Sequence, residues 1–536
     1  RIGCQRDSLF GVHAGIILFG HMKRALRIGL TMMVMVCLTA SLQTAAVKAS
    51  PVATPPVVAQ DPLKVTVSLA VLLSLENNRS LAVERLTPQI QKTVEDREKA
   101  RFDPELDAIV AAERVEGQRL ARSGSETEAF TRDTAEGVIS LAKYFPTGTT
   151  LALGAGTEMT DSSLYDDSFF ETRLGLTVNQ ALLQGLGRDV NLVSLRQARI
   201  DSRMSEYELR GFSQALVAEV EWTYWDYALA LRQIEIVDES LKVARQQLSE
   251  TEELITVGRL ARSELAAVQA EVASQEQALI EARASKEAFR LGLLRLLNPP
   301  GPAFWQREIE LIYQPKLPAV ELEPVEQHVA VSMRMRPVLN QTRLEIQRGE
   351  LELVKTKNGL LPRLDLFATL GKSGYANSFG SAVGDIDGAS FDARAGVTFH
   401  LPVFNRDAKA AHRKALLSRE QAGEALKNFE QLVELDVRTA YIDVNRTKQQ
   451  IDASSVTRNF DEEKLRTETE KLRVGTSTSF LVAQAQRDLL ASRIVEVRAL
   501  VNYIKALVDL YRLDGSLLER RGVSAPGKEP VQQLRD

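Results

Sequence analysis

Cysteine is nearly absent from this chain of 536 residues: there are two, Cys4 and Cys37. Both fall in the first 49 residues, so the remainder is neither a disulfide scaffold nor a thiolate metal site. Val36 precedes Cys37, where a lipid-accepting cysteine normally follows a small residue, so lipidation is not expected. Histidine is scarce as well: beyond residue 49 only His328, His400 and His412 occur, at unrelated spacing, which gives no metal-ligand cluster. Gly154-Ala155-Gly156 lacks the spacing and lysine of a phosphate loop. No enzyme, cofactor or metal site is expected. Excess basic charge is missing too. Setting aside residues 1–49, which hold six basic residues and one acidic residue, leaves 61 basic against 70 acidic, a balance of −9 that argues against nucleic acid as a partner. After Leu42 no apolar run approaches the roughly 20 residues a spanning helix needs. A membrane role would then require a closed β-barrel.

Proline is absent between Pro146 and Pro299, and again from Val403 to Ala525. Those gaps coincide with an internal repeat. Residues 220–296, shifted by 217 positions, fall without a gap on 437–513. Tyr224 meets Tyr441, Asp226 meets Asp443, Val257-Gly258 meets Val474-Gly475, and Leu293, Arg295 and Leu296 meet Leu510, Arg512 and Leu513. A unit this long is half of a large fold, not a solenoid module. Its core is helical. Ile234, Leu241, Leu248 and Ile255 recur by sevens, with Val237 and Ala244 three residues after the first two, a seam for helices packed side by side. One helix is predicted from near Gly187 to the region of Gly258, and a second from there to about Leu297. At about 1.5 Å per residue the longer spans on the order of 100 Å, more than a globular core uses. The second seam, Ala485, Ser492, Ala499, Ala506 and Leu513, is mostly small, which lets helices approach closely. Trp222, Tyr224, Trp225 and Tyr227 cluster on the first long helix and read as core, with some of them free to meet a neighbouring copy.

Period-2 segments adjoin these helices. Leu106, Ala108, Val110 and Ala112 alternate with Glu105, Asp107, Ile109 and Ala111. Leu174, Leu176 and Val178 form one face of a second segment, and Leu364, Leu366, Ala368 and Leu370 one face of a third. Phe391, Ala393, Ala395, Val397, Phe399 and Leu401 alternate with Asp392, Arg394, Gly396, Thr398 and His400. Apolar on one side and polar on the other over about ten residues is the pattern of an outer-membrane barrel strand. A sheet with one face on a core shows the same alternation, but no other core is visible beside helices this long. Residues 137–159 read as a further hairpin turning at Pro146-Thr147-Gly148, either widening a barrel or capping it.

Met22 is the expected start, followed by Lys23, Arg24 and Arg27, the apolar run Ile28 to Leu42, and Val47-Lys48-Ala49 as a cleavage site. The chain divides into an upstream extension (1–21), a signal peptide (22–49), a proline-rich leader (50–62), a first repeat (63–297), an equatorial linker dense in proline (298–325), a second repeat (326–514) and a loose polar tail (515–536).

These features together resemble the TolC-like outer-membrane efflux proteins over about residues 63–520. The run Ser68 to Asn78 looks like the family's opening helix with its Asn-Asn ending. Val178-Asn179-Gln180-Ala181-Leu182-Leu183-Gln184-Gly185-Leu186-Gly187 looks like its strand-to-helix turn, with Ala181 where proline is usual, a proline the second half keeps as Pro402. Val257-Gly258 and Val474-Gly475-Thr476 match its paired hairpin tips. The resemblance implies a mixed α/β membrane protein. Long antiparallel helices would form a periplasmic tunnel. Four or more strands per protomer would join a shared barrel in a homotrimer, with Leu174, Leu176, Val178, Leu364, Leu366, Val397 and Phe399 toward outer-membrane lipid. It further implies small-molecule export, fed by an inner-membrane pump through a periplasmic adaptor docked on Val257, Gly258, Val474, Gly475 and Thr476. Type I protein secretion, and a periplasmic coiled-coil scaffold or adaptor, are the alternatives. The second hairpin has no acid at Ser479 to Gln484, where relatives often carry constriction aspartates, which puts a cation-binding ring in doubt. Glu264 with Arg259 and Arg262, or Phe480, Leu481 and Gln484, are the candidates for a constriction; a solvated helix tip is the plainer alternative.

Overall fold

The computed structural model describes residues 61–121, 124, 126–301, 304–312, 318 and 321–531. The expected signal peptide lies outside them. Two architectures are joined end to end: a set of long helices and one antiparallel sheet.

A short strand β1 (Leu63–Val65) precedes helices α1 (Val67–Asn77), α2 (Arg79–Glu84) and α3 (Leu86–Ala100). Four strands follow: β2 (Pro104–Leu120), β3 (Thr127–Phe145), β4 (Thr149–Ser162) and β5 (Phe169–Ala181). The one-turn α4 (Arg188–Asn191) leads into α5 (Val193–Thr256), whose 64 residues span about 100 Å, and α6 (Glu264–Leu297) returns. The segment between the repeats forms β6 (Ile309–Leu311), which pairs in parallel with β1. The second repeat gives α7 (Val325–Met335), α8 (Pro337–Gly359), β7 (Arg363–Ala376), α9 (Phe379–Gly384), β8 (Phe391–His400), α10 (Arg406–Arg473), α11 (Ser479–Leu513) and the one-turn α12 (Leu517–Arg520). No helix among the described residues is long and apolar enough to cross a membrane.

The seams hold the helices as their spacing predicts. Val237, Leu241 and Ala244 are buried on α5, the first two packed with Leu279 of α6 and Ile494 of α11. On α11, Ala485, Ser492, Ala499 and Leu513 are buried. The aromatic cluster is core: Tyr224, Trp225 and Tyr227 are buried, while half-buried Trp222 donates its Nε1–H to the Lys505 carbonyl at 3.3 Å. The Tyr227 hydroxyl donates to the Ile309 carbonyl at 3.0 Å, tying α5 to β6, and burial pushes its pKa up to about 12. The Asn77-Asn78 pair has a structural reason. The Asn78 side chain accepts from Leu81 N at 3.0 Å, capping α2, and donates to the Leu296 carbonyl at 3.1 Å. Asn298 returns a bond to the Asn77 carbonyl at 2.9 Å. The break between α1 and α2 is thus locked to the end of α6.

The tail is not loose, against expectation, as far as Val531. Arg521 makes a two-pronged ion pair with buried Glu221, Nε to Oε1 at 2.5 Å and Nη2 to Oε2 at 2.7 Å. Glu519 pairs with buried Arg210, and Val531 N donates to Asn340 Oδ1 at 2.9 Å. Glu519 and Arg521 thus serve buried charges on α5, and Val531 N serves a buried amide on α8.

The sheet has six strands in the order β2-β3-β4-β5-β7-β8, every neighbour antiparallel. The resemblance alone implies a minimum of four. The extra hairpin, whose placement the alternation leaves open, lies within the sheet: β3 and β4 stand between β2 and β5. Its turn is seated at the helix end. Ala181 N donates to the Gly148 carbonyl at 3.0 Å and Gly187 N to the Thr147 carbonyl at 3.2 Å. The Asn191 amide reaches the Pro146 carbonyl at 3.0 Å and the Gly185 carbonyl at 2.7 Å, while Tyr144 donates to Asn191 Oδ1 at 2.8 Å. A proline at position 181 could not donate to that turn, which accounts for the alanine there.

Candidate functional site

Register fixes which side chains share a sheet face. One row across all six strands is Leu106, Leu141, Leu153, Leu176, Leu370 and Ala393. The next is Ala108, Ile139, Ala155, Leu174, Lys372 and Phe391, and on the other side lie Lys143, Leu151, Val178, Ala368 and Ala395. Leu364, Leu366, Val397 and Phe399 continue this face toward the helices. Aromatic rings stand toward its two ends: Phe145 and Phe399 near the helices, Phe391 one row beyond the leucine row, and Phe170 two rows farther out. Beyond them a charged row, Arg114, Asp133 and Asp161, ends the apolar surface. β2 and β3 run past that row as a two-stranded ribbon, pairing as far as Leu120 and Thr127. An apolar belt bounded by aromatic girdles is the outer surface of a membrane sheet.

The opposite face is hydrophilic and carries charge. Glu136, Glu158 and Glu171 lie directly opposite one another on β3, β4 and β5. Like charges so placed repel unless water screens them, so this face meets water. The Tyr375 hydroxyl donates to Glu171 Oε1 at 3.0 Å. Arg173 of β5 reaches across β7 to Asp392 of β8, with Nη2 to Oδ2 at 2.7 Å and Nε to Oδ1 at 3.0 Å. The bridge is possible because Gly371 lies beneath it: a Cβ there would stand 2.3 Å from Asp392 Oδ1. His400 falls on this face, as its alternation predicts.

At the far end of the helices the two hairpin tips have the same geometry. Gly258 has φ +74° and Gly475 φ +81°, the left-handed region where glycine costs least. Arg259 N donates to the Leu254 carbonyl at 2.8 Å and Gly258 N to the Ile255 carbonyl at 3.0 Å. Thr476 N to the Lys471 carbonyl (2.8 Å) and Gly475 N to the Leu472 carbonyl (3.0 Å) repeat the pattern. Both are complete Schellman caps. Val257 and Val474, just before each glycine, are 67% and 72% exposed.

Glu264 does not pair with Arg259 or Arg262. It crosses to the second hairpin, where its Oε2 accepts from Ser479 N at 2.9 Å, at the N-terminus of α11. An acid there is favoured by the helix dipole. Deeper, buried Glu271 accepts from Arg487 Nη1 at 2.7 Å, a second tie between hairpins. The Glu468 carboxyl is held below the usual carboxylate range, first by Lys471 and then by the Ser477 hydroxyl, which fastens the second tip. Phe480, Leu481 and Gln484 are exposed on α11. The alternation and the seams locate the sheet faces and tips, but Glu271, Arg487 and the Arg173–Asp392 bridge leave no mark in periodicity; each depends on a partner about 200 residues away. Among the described residues no group of three His, Cys, Asp or Glu is placed to hold a metal.

Paired helices of this length, joined to a sheet with one belt for lipid and one face for water, are the parts of a membrane transport duct. The chain belongs to the outer membrane efflux protein family, which matches residues 135–298 and 333–516, more than half of the sequence and one segment in each repeat. The family is one of export ducts, not enzymes. The protein is an outer-membrane efflux channel of the tripartite-pump type, with helices extending into the periplasm. Solved channels share the fold. The Campylobacter jejuni CmeC outer membrane channel aligns with TM-score 0.63 at 16% identity, over 88% of this chain and 87% of that one. The outer membrane protein VceC of Vibrio cholerae aligns with TM-score 0.63 at 14% identity, over 84% and 96%. The open state of the Neisseria gonorrhoeae MtrE outer membrane channel aligns with TM-score 0.59 at 18% identity, over 84% and 89%. A search of curated proteins finds no match.

Proposed function

We propose that three copies of this chain close one barrel and one helical tunnel. A periplasmic adaptor grips the Val257-Gly258 and Val474-Gly475-Thr476 tips, and an inner-membrane pump delivers small molecules through it. The observation that carries this is the belt between two aromatic girdles, on a sheet whose edge strands β2 and β8 lack partners among the described residues of one chain. Lipid forbids such edges, so copies must seal one another. Leu174, Leu176, Val178, Leu364, Leu366, Val397 and Phe399 face acyl chains. The exposed apolar tips, and their duplication in each copy, support adaptor docking there. The test is export by cells carrying Gly475→Pro, alone or with Val257→Asp. Export falls at least tenfold while heat-resistant trimers persist in the outer membrane. Normal export by these variants removes the tips from the docking surface.

The same reading makes the Glu264–Ser479 tie a latch between hairpins at the narrow end of the tunnel, with Phe480, Leu481 and Gln484 toward its opening. Glu264→Ala removes a bond of the helix-capping kind, worth about 1 kcal/mol. In planar bilayers the variant opens more often, by about fivefold for that energy, while Glu264→Gln, which keeps an acceptor, lies between it and wild type. Identical open probabilities in all three would count against a latch.

A further inference from the structure

We infer that the membrane portion of this duct is an eighteen-stranded barrel, sealed where β2 of one copy pairs with β8 of the next, and that it flares wider than the tunnel feeding it. The inference rests on the three-copy reading above and adds the barrel's size and seam. Three copies of a six-stranded sheet make eighteen strands. All six strands pass through the apolar belt in continuous register, so none is a cap laid outside the wall. β2 runs away from the helices and β8 toward them, so they meet antiparallel like every other pair. Their faces match as well: Leu106, Ala108 and Val110 share the belt face with Ala393, Ala395 and Val397.

The added pair, β3 and β4, brings no helix with it. Its turn at 146–148 ends against Gly185, Gly187 and Asn191 instead of feeding a helical segment. Among the described residues each copy therefore contributes six strands to the sheet but only four long tunnel helices, α5, α6, α10 and α11. Barrel diameter grows roughly linearly with strand number, so this wall is about one and a half times as wide as one built from four strands per copy. The size limit on a solute then lies at the helical end, and the mouth is open water lined by the glutamate row.

Both natural cysteines lie in residues 1–49, so introduced ones are the only thiols in the processed chain. Ala108→Cys is combined in turn with Ala393→Cys, Ala395→Cys and Val397→Cys, and outer membranes are oxidised. One of the three combinations shifts to the mass of three chains, whereas Asp107→Cys on the opposite face, with the same β8 partner, stays at one. Cross-links that stop at two chains mean a twelve-stranded, two-copy barrel and overturn the inference. Absent cross-links in a chain that still runs as a heat-resistant trimer overturn the seam but leave the three-copy reading standing; loss of that trimer as well sinks both. A second arm addresses the added hairpin by itself. A fluorophore on Ala155→Cys of β4 is quenched by brominated lipid within twofold of one on Leu174→Cys of β5. Quenching of the β4 label by aqueous iodide instead overturns its place in the wall.

Discussion

Arg521→Ala destabilises the protein by about 3–5 kcal/mol, the cost of leaving a buried charge without its partner. Glu221 is 1% exposed on the first long helix, and both its oxygens are occupied by the Arg521 guanidinium. That pairing raises the guanidinium pKa still further, so the charge on Arg521 is present at every pH in which the protein folds. Removing the arginine strands a buried carboxylate on α5, the helix that gives Val217, Tyr224 and Trp225 to the core. The measurement is urea unfolding followed by helical circular dichroism. Glu221→Leu combined with Arg521→Leu recovers most of the loss, because neither charge is then buried. If the single variant unfolds at the wild-type urea concentration, the tail is an ornament and not a clasp.

Gly148→Val abolishes most assembled channel. Gly148 has φ +88°, and a Cβ there would stand 2.3 Å from the Gly185 carbonyl oxygen. The obstacle is backbone, itself held at φ +85°, so no flexible side chain can yield. Left-handed strain of about 1–3 kcal/mol adds to overpacking of about 1–3 kcal/mol. Together these exceed what the turn recovers from the two backbone hydrogen bonds it accepts from Ala181 and Gly187, at 3.0 and 3.2 Å. On the three-copy reading, heat-resistant trimers in outer membranes should fall at least tenfold. Gly137→Val is the control. It lies on the belt face of β3, in an ordinary strand conformation, and a Cβ there would meet nothing within 4 Å. Its trimer yield should match wild type. Equal losses in both would show a general intolerance of bulk in this hairpin, not a seated turn.

What is legible in the sequence, and what is hidden, divides along one physical line. Periodicity reports which side of an element is dry, so the heptad of Ile234 and Leu241 and the alternation of Phe391 to Phe399 lead directly to the helices, the strands and their faces. The Val-Gly doublets mark the tips because a left-handed cap needs glycine. Pairings between polar groups distant in sequence carry no period. Hence Glu264 is read beside Arg259 and Arg262, its neighbours along the chain, while its partner is Ser479 of the other hairpin. The tail misleads for the same reason: Arg521 and Glu519 are polar, and only their buried counterparts Glu221 and Arg210 show that they face inward. The extra strand pair is visible as a hairpin, but its insertion between β2 and β5 depends on pairing register, which composition does not encode.

The ribbon of β2 and β3 beyond Arg114, Asp133 and Asp161 has a use for anyone following this molecule in living cells. On the proposed barrel, the two strands past that row have left the oily layer and carry Glu116, Arg119 and Glu128 into the medium, with Arg119 and Glu128 joined as an ion pair. A short epitope grafted at its crest, between Leu120 and Thr127, would be readable by antibody on intact bacteria, and a tag on the Val-Gly tips only after the envelope is breached.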